Sequence, residues 1–248
     1  MNDTAASEAV HISVVVPVRN EQDNIEPLLL EIEAALAELT PFEVIYVNDG
    51  STDRTESVLD TLRQTRSHVR QLKHEQSCGQ SAAVRSGVRA AKAGIIVTLD
   101  GDGQNDPAFI PQMAALLLAT GESCGLVQGQ RLGRKDTGFK KFQSRVANGV
   151  RSWALRDGTR DTGCGLKCFR REAYLALPYF DALHRFMPAL MRREGYELAY
   201  VDVTDRPRHA GVSNYGFFDR LWVGIVDLCG VRWLISRRKK VPLVQESE

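Results

Sequence analysis

The chain has 248 residues, enough for one large domain with a buried core, and its 43% hydrophobic and 25% charged content is ordinary for a soluble globular protein. That balance excludes a disordered chain and a polytopic membrane protein. The formal net charge of +1 provides no global field for nucleic acid, so no nucleic-acid role is expected and any basic site must be local.

Residues 1–10 are polar and acidic and lack a basic-then-apolar signal pattern, so they are expected to be a flexible lead on a cytoplasmic chain. Ile12 to Pro17 is a β-branched run that reads as a buried strand. A polar turn from Arg19 to Asn24 leads into a helical stripe of Ile25, Leu28, Leu29, Ile32, Ala35, Leu36 and Leu39. Phe42 to Val47 reads as a second strand, and Ser51-Thr52-Asp53 offers an N-cap to a helix carrying Val58, Leu59 and Leu62. Val69 to Lys73, Gly94 to Leu99 and Gly125 to Gly129 read as further strands, with a helix over Ser81 to Ala91 and another opened by Asp106-Pro107. Alternation at this spacing predicts right-handed crossovers and a mainly parallel sheet flanked by helices.

The second half is less regular. A basic, helical-looking segment from Phe139 to Leu155 precedes a strand near Thr162 to Phe169, a helix from about Arg185 to Glu194 and a strand from Leu198 to Val203. The apolar stretch from Leu221 to Ile235 is interrupted by Asp227 and Arg232 and falls short of the ~20 residues needed to span a bilayer. The five cysteines, at 78, 124, 164, 168 and 229, are odd in number and scattered; Cys164 and Cys168 lack a second pair to complete a zinc site. They are expected to be reduced packing residues. The expected organisation is a flexible 1–10, one α/β domain over 11–215, and an amphipathic segment with a basic tail over 216–248.

Polar residues gather where the strands end: Asn20 and Glu21 after the first, Asp49 after the second, Asp100 and Asp102 after the fourth. In an open α/β sheet, ligands bind in the crevice outside the carboxyl ends of the strands. Asp100-Gly101-Asp102 places two carboxylates together, with Gly101 allowing close backbone approach, and Gln104 can add a carbonyl oxygen. Such hard oxygen donors suit Mg²⁺ or Mn²⁺ bridging to a diphosphate. Asn48-Asp49-Gly50-Ser51 is either a turn or a contact to a nucleoside base or ribose, and Glu21 is equally a helix-start charge.

Together, Val16-Pro17-Val18-Arg19-Asn20-Glu21, Val47-Asn48-Asp49-Gly50-Ser51-Thr52-Asp53 and Leu99-Asp100-Gly101-Asp102-Gly103-Gln104 resemble glycosyltransferase family 2. Within it the chain is similar to the polyprenyl-phosphate (dolichol-phosphate mannose synthase-like) transferases. Gly79-Gln80-Ser81-Ala82-Ala83, the segment from Asp161 to Arg171, and Arg208-His209-Ala210-Gly211-Val212-Ser213-Asn214-Tyr215 match three more of that group's motifs in order. The resemblance implies a GT-A-type (Rossmann-like) fold and inverting, metal-dependent transfer from a nucleotide-diphosphate sugar. It implies that Pro17, Asn20, Glu21, Asn48 and Asp49 hold the nucleoside. Asp100, Asp102 and Gln104 would hold Mg²⁺ or Mn²⁺, with Arg208 and Ser213 near the diphosphate. Asn48 replaces the first Asp of the more usual Asp-Asp pair and Asn214 replaces a frequent Lys, which bears on donor identity more than on the reaction.

From Arg131 to Arg156 eight basic residues face one acid, Asp136, while Phe139, Phe142, Val146, Val150 and Trp153 fall at helical spacing. Such a helix can lie in a bilayer interface. The resemblance implies that Arg131 and Arg145 bind the phosphate of a polyprenyl phosphate. That phosphate is already ionised at neutral pH, so the transfer needs no dedicated base. If one is needed, Asp161 is the candidate; its other possible roles are contacting the donor sugar or ordering the acceptor arginines. Asp102, Asp161 and Arg208 are thus the expected catalytic residues.

Phe217, Phe218, Leu221, Trp222, Ile225, Leu228 and Cys229 form a second stripe, followed by Trp233 and the basic run from Arg237 to Lys240. It suits peripheral contact with the cytoplasmic face of the inner membrane, or a homo-oligomer or membrane-protein partner. The expected product is a polyprenyl-phosphate-linked monosaccharide for cell-envelope glycan. Transfer to a sugar hydroxyl is the alternative, and a non-catalytic subunit of a glycan-assembly complex fits less well. GDP-mannose, UDP-glucose and UDP-hexuronic acids all stand as donor candidates.

Overall fold

The structure is a computed structural model that describes residues 11–132, 151, 155, 158–206 and 217–237, with the backbone alone over 217–223. In chain order the elements are β1 (Ile12–Val18), α1 (Ile25–Ala35), β2 (Phe42–Asp49), α2 (Thr55–Thr65), β3 (Val69–His74), α3 (Gln80–Ala90) and β4 (Ile95–Thr98). A 3-10 turn over Pro107–Phe109 then opens α4 (Ile110–Ala119), followed by β5 (Cys124–Leu132) and β6 (Lys167–Arg170). Helices α5 (Arg171–Leu175) and α6 (Leu183–Arg193), strand β7 (Glu197–Thr204) and helix α7 (Phe217–Ser236) complete the described elements.

The seven strands form one sheet in the order β3-β2-β1-β4-β6-β5-β7. β1 pairs in parallel with both β2 and β4, so the chain winds outward from β1 to β3 and then crosses back to β4. The reversal opens a crevice beyond the carboxyl ends of β1 and β4, the place where open α/β sheets take ligands. Alternation along β1 explains why it is apolar except at Ser13, whose buried hydroxyl bonds Glu43 and the Ala93 N–H. Val14, Val16 and Val18 face a core shared with α1, α2 and α4, while Val15 faces a second core shared with α3, α5 and α6. A strand buried on both faces has no room for a polar side, and β-branched residues fit that pleated surface well.

The parallel order expected from the sequence is interrupted at one place. β6 runs antiparallel to both β4 and β5, while β5 and β7 are parallel. β6 is also shorter than the expected strand from Thr162 to Phe169, because Asp161 accepts the backbone N–H of Gly163 and turns the chain before Lys167. The short helix α5 was not expected. Its first residue, Arg171, donates its backbone N–H to the Gly94 carbonyl and so ties α5 to the start of β4. α1 ends at Ala35, not Leu39, with Leu36 as its C-cap. The N-cap position of α2 is Arg54, not one of Ser51 to Asp53; Asp53 Oδ1 accepts the Thr55 N–H from one residue ahead of it, and Ser51 and Thr52 turn toward the loop after β1.

The segment expected to be helical from Phe139 to Leu155 lies almost entirely outside the described residues. α7 docks on the second core through Leu228, Val231, Leu234 and Ile235, and Arg193 Nε donates to the Leu234 carbonyl. The expected stripe is therefore split: Leu228 faces the core, whereas Ile225, Val226, Cys229 and Trp233 are exposed. Among the described residues no helix is long and apolar enough to cross a membrane. Cys124, Cys164 and Cys168 are buried packing residues as expected, but Cys78 and Cys229 are exposed, which corrects the expectation for those two.

Candidate functional site

The loops after β1 and β2 are sewn to each other. Asn20, at φ +58°, donates its N–H to Ser51 Oγ, and its side-chain oxygen accepts the Thr52 N–H at 2.8 Å. Glu21 N–H reaches Thr55 Oγ1 and Gln22 N–H reaches Asp53 Oδ2, so every residue from 20 to 22 is held from the far loop. Asn is among the few non-glycine residues that adopt this left-handed conformation readily, which explains Asn20 as much as any ligand does. Asn48 accepts the Ser51 N–H through Oδ1 and keeps a buried Nδ2 with no partner. Pro17 lies at the wall of the crevice beside Thr98 and Asp100.

Asp49 is more fully engaged than its motif implied. One oxygen takes His74 Nδ1 at 2.7 Å and the Cys78 N–H at 2.9 Å; the other takes Ser77 Oγ at 2.7 Å and the Gly79 N–H at 3.0 Å. Burial opposes its ionisation, but these four donors outweigh it and hold its carboxyl below the usual range. Asp49 thus fastens the 77–79 loop ahead of α3, and both oxygens are occupied. Its neighbour Gly50, at φ +66°, has no room for a side chain, since a Cβ there would sit 2.6 Å from the Ser77 nitrogen. The Asp49, His74 and Cys78 ligand atoms lie within 4.8 Å of one another. Four hydrogen bonds to Asp49 already account for that cluster as a loop anchor.

The turn after β4 holds Asp100 and Asp102 in a different environment. Asn105 Oδ1 accepts the Asp100 N–H, and Asp102 Oδ1 accepts the Gln104 N–H, which closes the turn around both carboxylates. Gln80 Nε2, at the start of α3, donates to Asp100 Oδ1 at 2.8 Å. Burial and then the Asp102 charge push the Asp100 pKa up to about 6, against the pull of Lys167. Gly165 permits this position: a Cβ there would lie 2.2 Å from Asp100 Oδ2. Two neighbouring carboxylates, one of which raises the other's cost of ionisation, form a donor set that a hard divalent cation would relieve. Asp100, Asp102 and Gln104 fit such an ion by residue type.

Across the crevice, Arg131 at the end of β5 makes a two-pronged pair with Asp161, Nε to Oδ2 at 2.5 Å and Nη2 to Oδ1 at 3.0 Å. Its Nη1 reaches Asp205 Oδ2 at 3.3 Å. Burial would weaken the guanidinium's hold on its proton, but Asp161 and Asp205 more than reverse that. Asp205, missed in the sequence, enters through the end of β7. It bridges Asn105, while the backbone of Arg206 bonds Gln104 and its side chain pairs with Glu31 and Asp106. The β7 exit is thereby stitched to the Asp100–Asp106 turn. Arg145, Arg208 and Ser213 lie outside the described residues.

Sequence reading also missed a group under the crevice. Lys167 is 3% exposed at the start of β6, and its ammonium donates to the Cys164 carbonyl. His184, at the start of α6, shares a hydrogen bond with Ser81 Oγ; burial and then Lys167 push its pKa down to about 3, so the ring is neutral. A signal existed for the lysine: Lys167 is the one charge within the otherwise apolar run from Cys164 to Phe169.

Comparison with known proteins places these residues in context. The family Glycosyl transferase family 2 matches residues 13–177. A dodecaprenyl-phosphate galacturonate synthase of Rhizobium johnstonii is 32% identical over 244 residues, covering 94% of this chain and 70% of that protein. Undecaprenyl-phosphate 4-deoxy-4-formamido-L-arabinose transferases of Photorhabdus laumondii and of an Enterobacter species are 30% and 32% identical over 83% and 85% of this chain. The chain spans 63% and 64% of those two relatives' lengths. Among solved structures, glucosyl-3-phosphoglycerate synthase of Mycobacterium tuberculosis, crystallised with Mn²⁺, UDP and glucosyl-3-phosphoglycerate, matches with a TM-score of 0.64. The two chains share 22% identity over 92% of this chain and 80% of that one, a likeness of fold.

Proposed function

The chain belongs to glycosyl transferase family 2, and from that premise we propose that it transfers a sugar, with inversion, from a nucleotide-diphosphate donor to a polyprenyl phosphate. The observation that carries this reading is the nearness of a carboxylate pair, Asp100 with Asp102, to a guanidinium, Arg131, that Asp161 and Asp205 orient. The first suits a cation-bound diphosphate and the second an anionic acceptor. Relatives that act on dodecaprenyl and undecaprenyl phosphate support the acceptor class.

In this reading the loops after β1 and β2 receive the nucleoside. Pro17, Glu21 and Asn48 remain the contact candidates, while Asn20 and Asp49 shape the loops through the hydrogen bonds they already make. Asp100, Asp102 and Gln104 would hold Mg²⁺ or Mn²⁺, which supplies Lewis-acid stabilisation of the leaving diphosphate. Arg208 and Ser213 are assigned beside that diphosphate. Arg131, with Arg145, orients the acceptor phosphate, whose oxygen is already ionised and attacks without losing a proton. Asp161 then acts by fixing the Arg131 guanidinium: both its oxygens are engaged by Arg131, an arrangement suited to positioning more than to proton abstraction.

A peripheral seat on the cytoplasmic face of the inner membrane accords with α7, where Ile225, Val226 and Trp233 are exposed beside Arg232 and Arg237. The test is transfer of radiolabel from a panel of nucleotide sugars into organic solvent, with Mn²⁺ or Mg²⁺ and with or without polyprenyl phosphate. Label is expected only with the lipid phosphate, and Asp102→Ala should lower it by roughly 10²–10³-fold. Donor binding without lipid labelling from any sugar would overturn the acceptor assignment and favour a sugar-hydroxyl acceptor.

A further inference from the structure

A cavity of about 160 Å³ lies beside Asp100, between the N-termini of α3 and α6. That is the scale of a space that admits one six-membered ring, of ~150 Å³. Its lining includes Gln80, Asp100, Lys167, Tyr174, His184 and Arg185, and it touches Asp100 without reaching Asp102 or Gln104. The cavity is therefore continuous with the crevice and shares Asp100 with the cation-binding pair.

Its polar groups are short of partners in a particular way. The Lys167 ammonium is buried and donates to a neutral carbonyl, while Asp100 and Asp161 act on it only through space. Asp161 is already committed to Arg131, and Asp100 is committed to a divalent cation once one is bound. Burial lowers the Lys167 pKa, so its ammonium is held at a cost that a ligand carboxylate beside it would offset. Tyr174 is 1% exposed, lines the same cavity, and has a buried hydroxyl with no hydrogen-bond partner. The two helix N-termini add partial positive charge to the same space, and Arg185 lies at its exposed rim. His184 adds no positive charge, being neutral.

We propose that this cavity is the donor-sugar subsite and that Lys167 makes it selective for a sugar bearing a carboxylate, a hexuronic acid. The inference rests on the donor reading given above and adds the class of sugar. The ring size, the buried cation and the unpartnered hydroxyl match a pyranose with one anionic substituent and several hydroxyls. A diphosphate oxygen shares the anionic chemistry, and the experiment separates the two sources.

Calorimetry with Mn²⁺ compares UDP, UDP-glucose and UDP-glucuronate, then UDP-galactose and UDP-galacturonate, with the matching GDP, GDP-mannose and GDP-mannuronate series. The wild-type protein is expected to bind a uronate donor about tenfold to a hundredfold tighter than its neutral hexose counterpart. Lys167→Met should erase that difference while leaving affinity for the free nucleoside diphosphate unchanged, and Lys167→Arg should retain most of it. Equal wild-type affinity for the uronate and hexose members of a series, with the nucleotide itself bound, would overturn the selectivity and leave the transferase reading intact. Weakened binding of the bare nucleoside diphosphate by folded Lys167→Met would assign the ammonium to the diphosphate and also overturn it. Failure of every nucleotide to bind would sink the donor reading itself. The wild-type comparison decides the matter even if the methionine variant does not fold.

Discussion

Aspartates at two edges of the same crevice titrate in opposite directions. On the nucleoside side burial acts against Asp49 and Asp53, yet donors from neighbouring loops outweigh it and both carboxyls sit below their usual range. On the other side burial and neighbouring carboxylates push Asp100 up to about 6, and burial raises Asp205 in spite of Arg131. Burial is common to all four; the difference is what surrounds them. Hydrogen-bond donors from the loops complete the first edge, which is a finished frame. The second edge sets carboxylates beside one another, and Arg131 and Lys167 offset them only in part. A carboxylate in a sequence motif is therefore not one kind of functional residue: its neighbours decide whether it builds the cradle or occupies it.

After the loss expected for Asp102→Ala, the next largest comes from disturbing the unfinished edge without removing a charge. Gly165→Ala would thrust a methyl into Asp100 and displace it, with an expected loss of roughly 10²-fold in transfer activity, read by the organic-extraction assay. A variant as active as wild type would show that the Asp100 position is not required. Next, Asp161→Asn keeps the shape and removes the charge that fixes Arg131; about a tenfold fall in kcat/KM for the lipid phosphate is expected, with donor affinity unchanged. If the variant instead lost an acid-limb ionisation from its pH profile, Asp161 would be a proton acceptor and the positioning role would fail.

The opposite titrations can be measured directly. Asp100 must lose its proton to ligate a cation, so Mn²⁺ affinity should fall about fourfold between pH 7 and pH 5.5 if its pKa is about 6. For Asp49 the folded-state value lies below the unfolded one, so its contribution to stability is present above pH 3.8 and is lost as pH falls through the folded value. Asp49→Asn should cost about 1–2 kcal/mol at pH 7 and flatten the acid limb of the unfolding curve. A variant with wild-type stability at every pH would mean that the donors around Asp49 do not hold the frame.

Much of the nucleoside edge could be read in the sequence because its contacts are made by short motifs at strand ends. The runs from Ile12 to Pro17 and from Phe42 to Val47 have the composition of doubly buried strands, and their ends place Asn20, Glu21 and Asp49 at one edge. The alternative reading left open there for the Asn48–Ser51 segment, turn chemistry, describes part of what the structure shows. The roles of Lys167 and Asp205 were not legible. A lysine within an apolar strand is a local oddity, but that it meets a cavity between α3 and α6 depends on segments far apart in the chain. Asp205 carries no motif and matters through Arg131, 74 residues earlier.

The sequence by itself determined the alternating elements, the two-faced burial of the central strands and the collection of acidic groups at their carboxyl ends, because periodicity and turn chemistry act over a few residues. Tertiary structure alone decided that β6 runs against its neighbours, that Gly165 leaves room for Asp100, and that the Thr98 hydroxyl meets the Gly165 carbonyl 67 residues away. It also decided which carboxylates gather several donors and which lie beside another carboxylate. Those outcomes depend on packing between distant segments, and the energy of a charge is set by everything that the fold brings within a few ångströms of it.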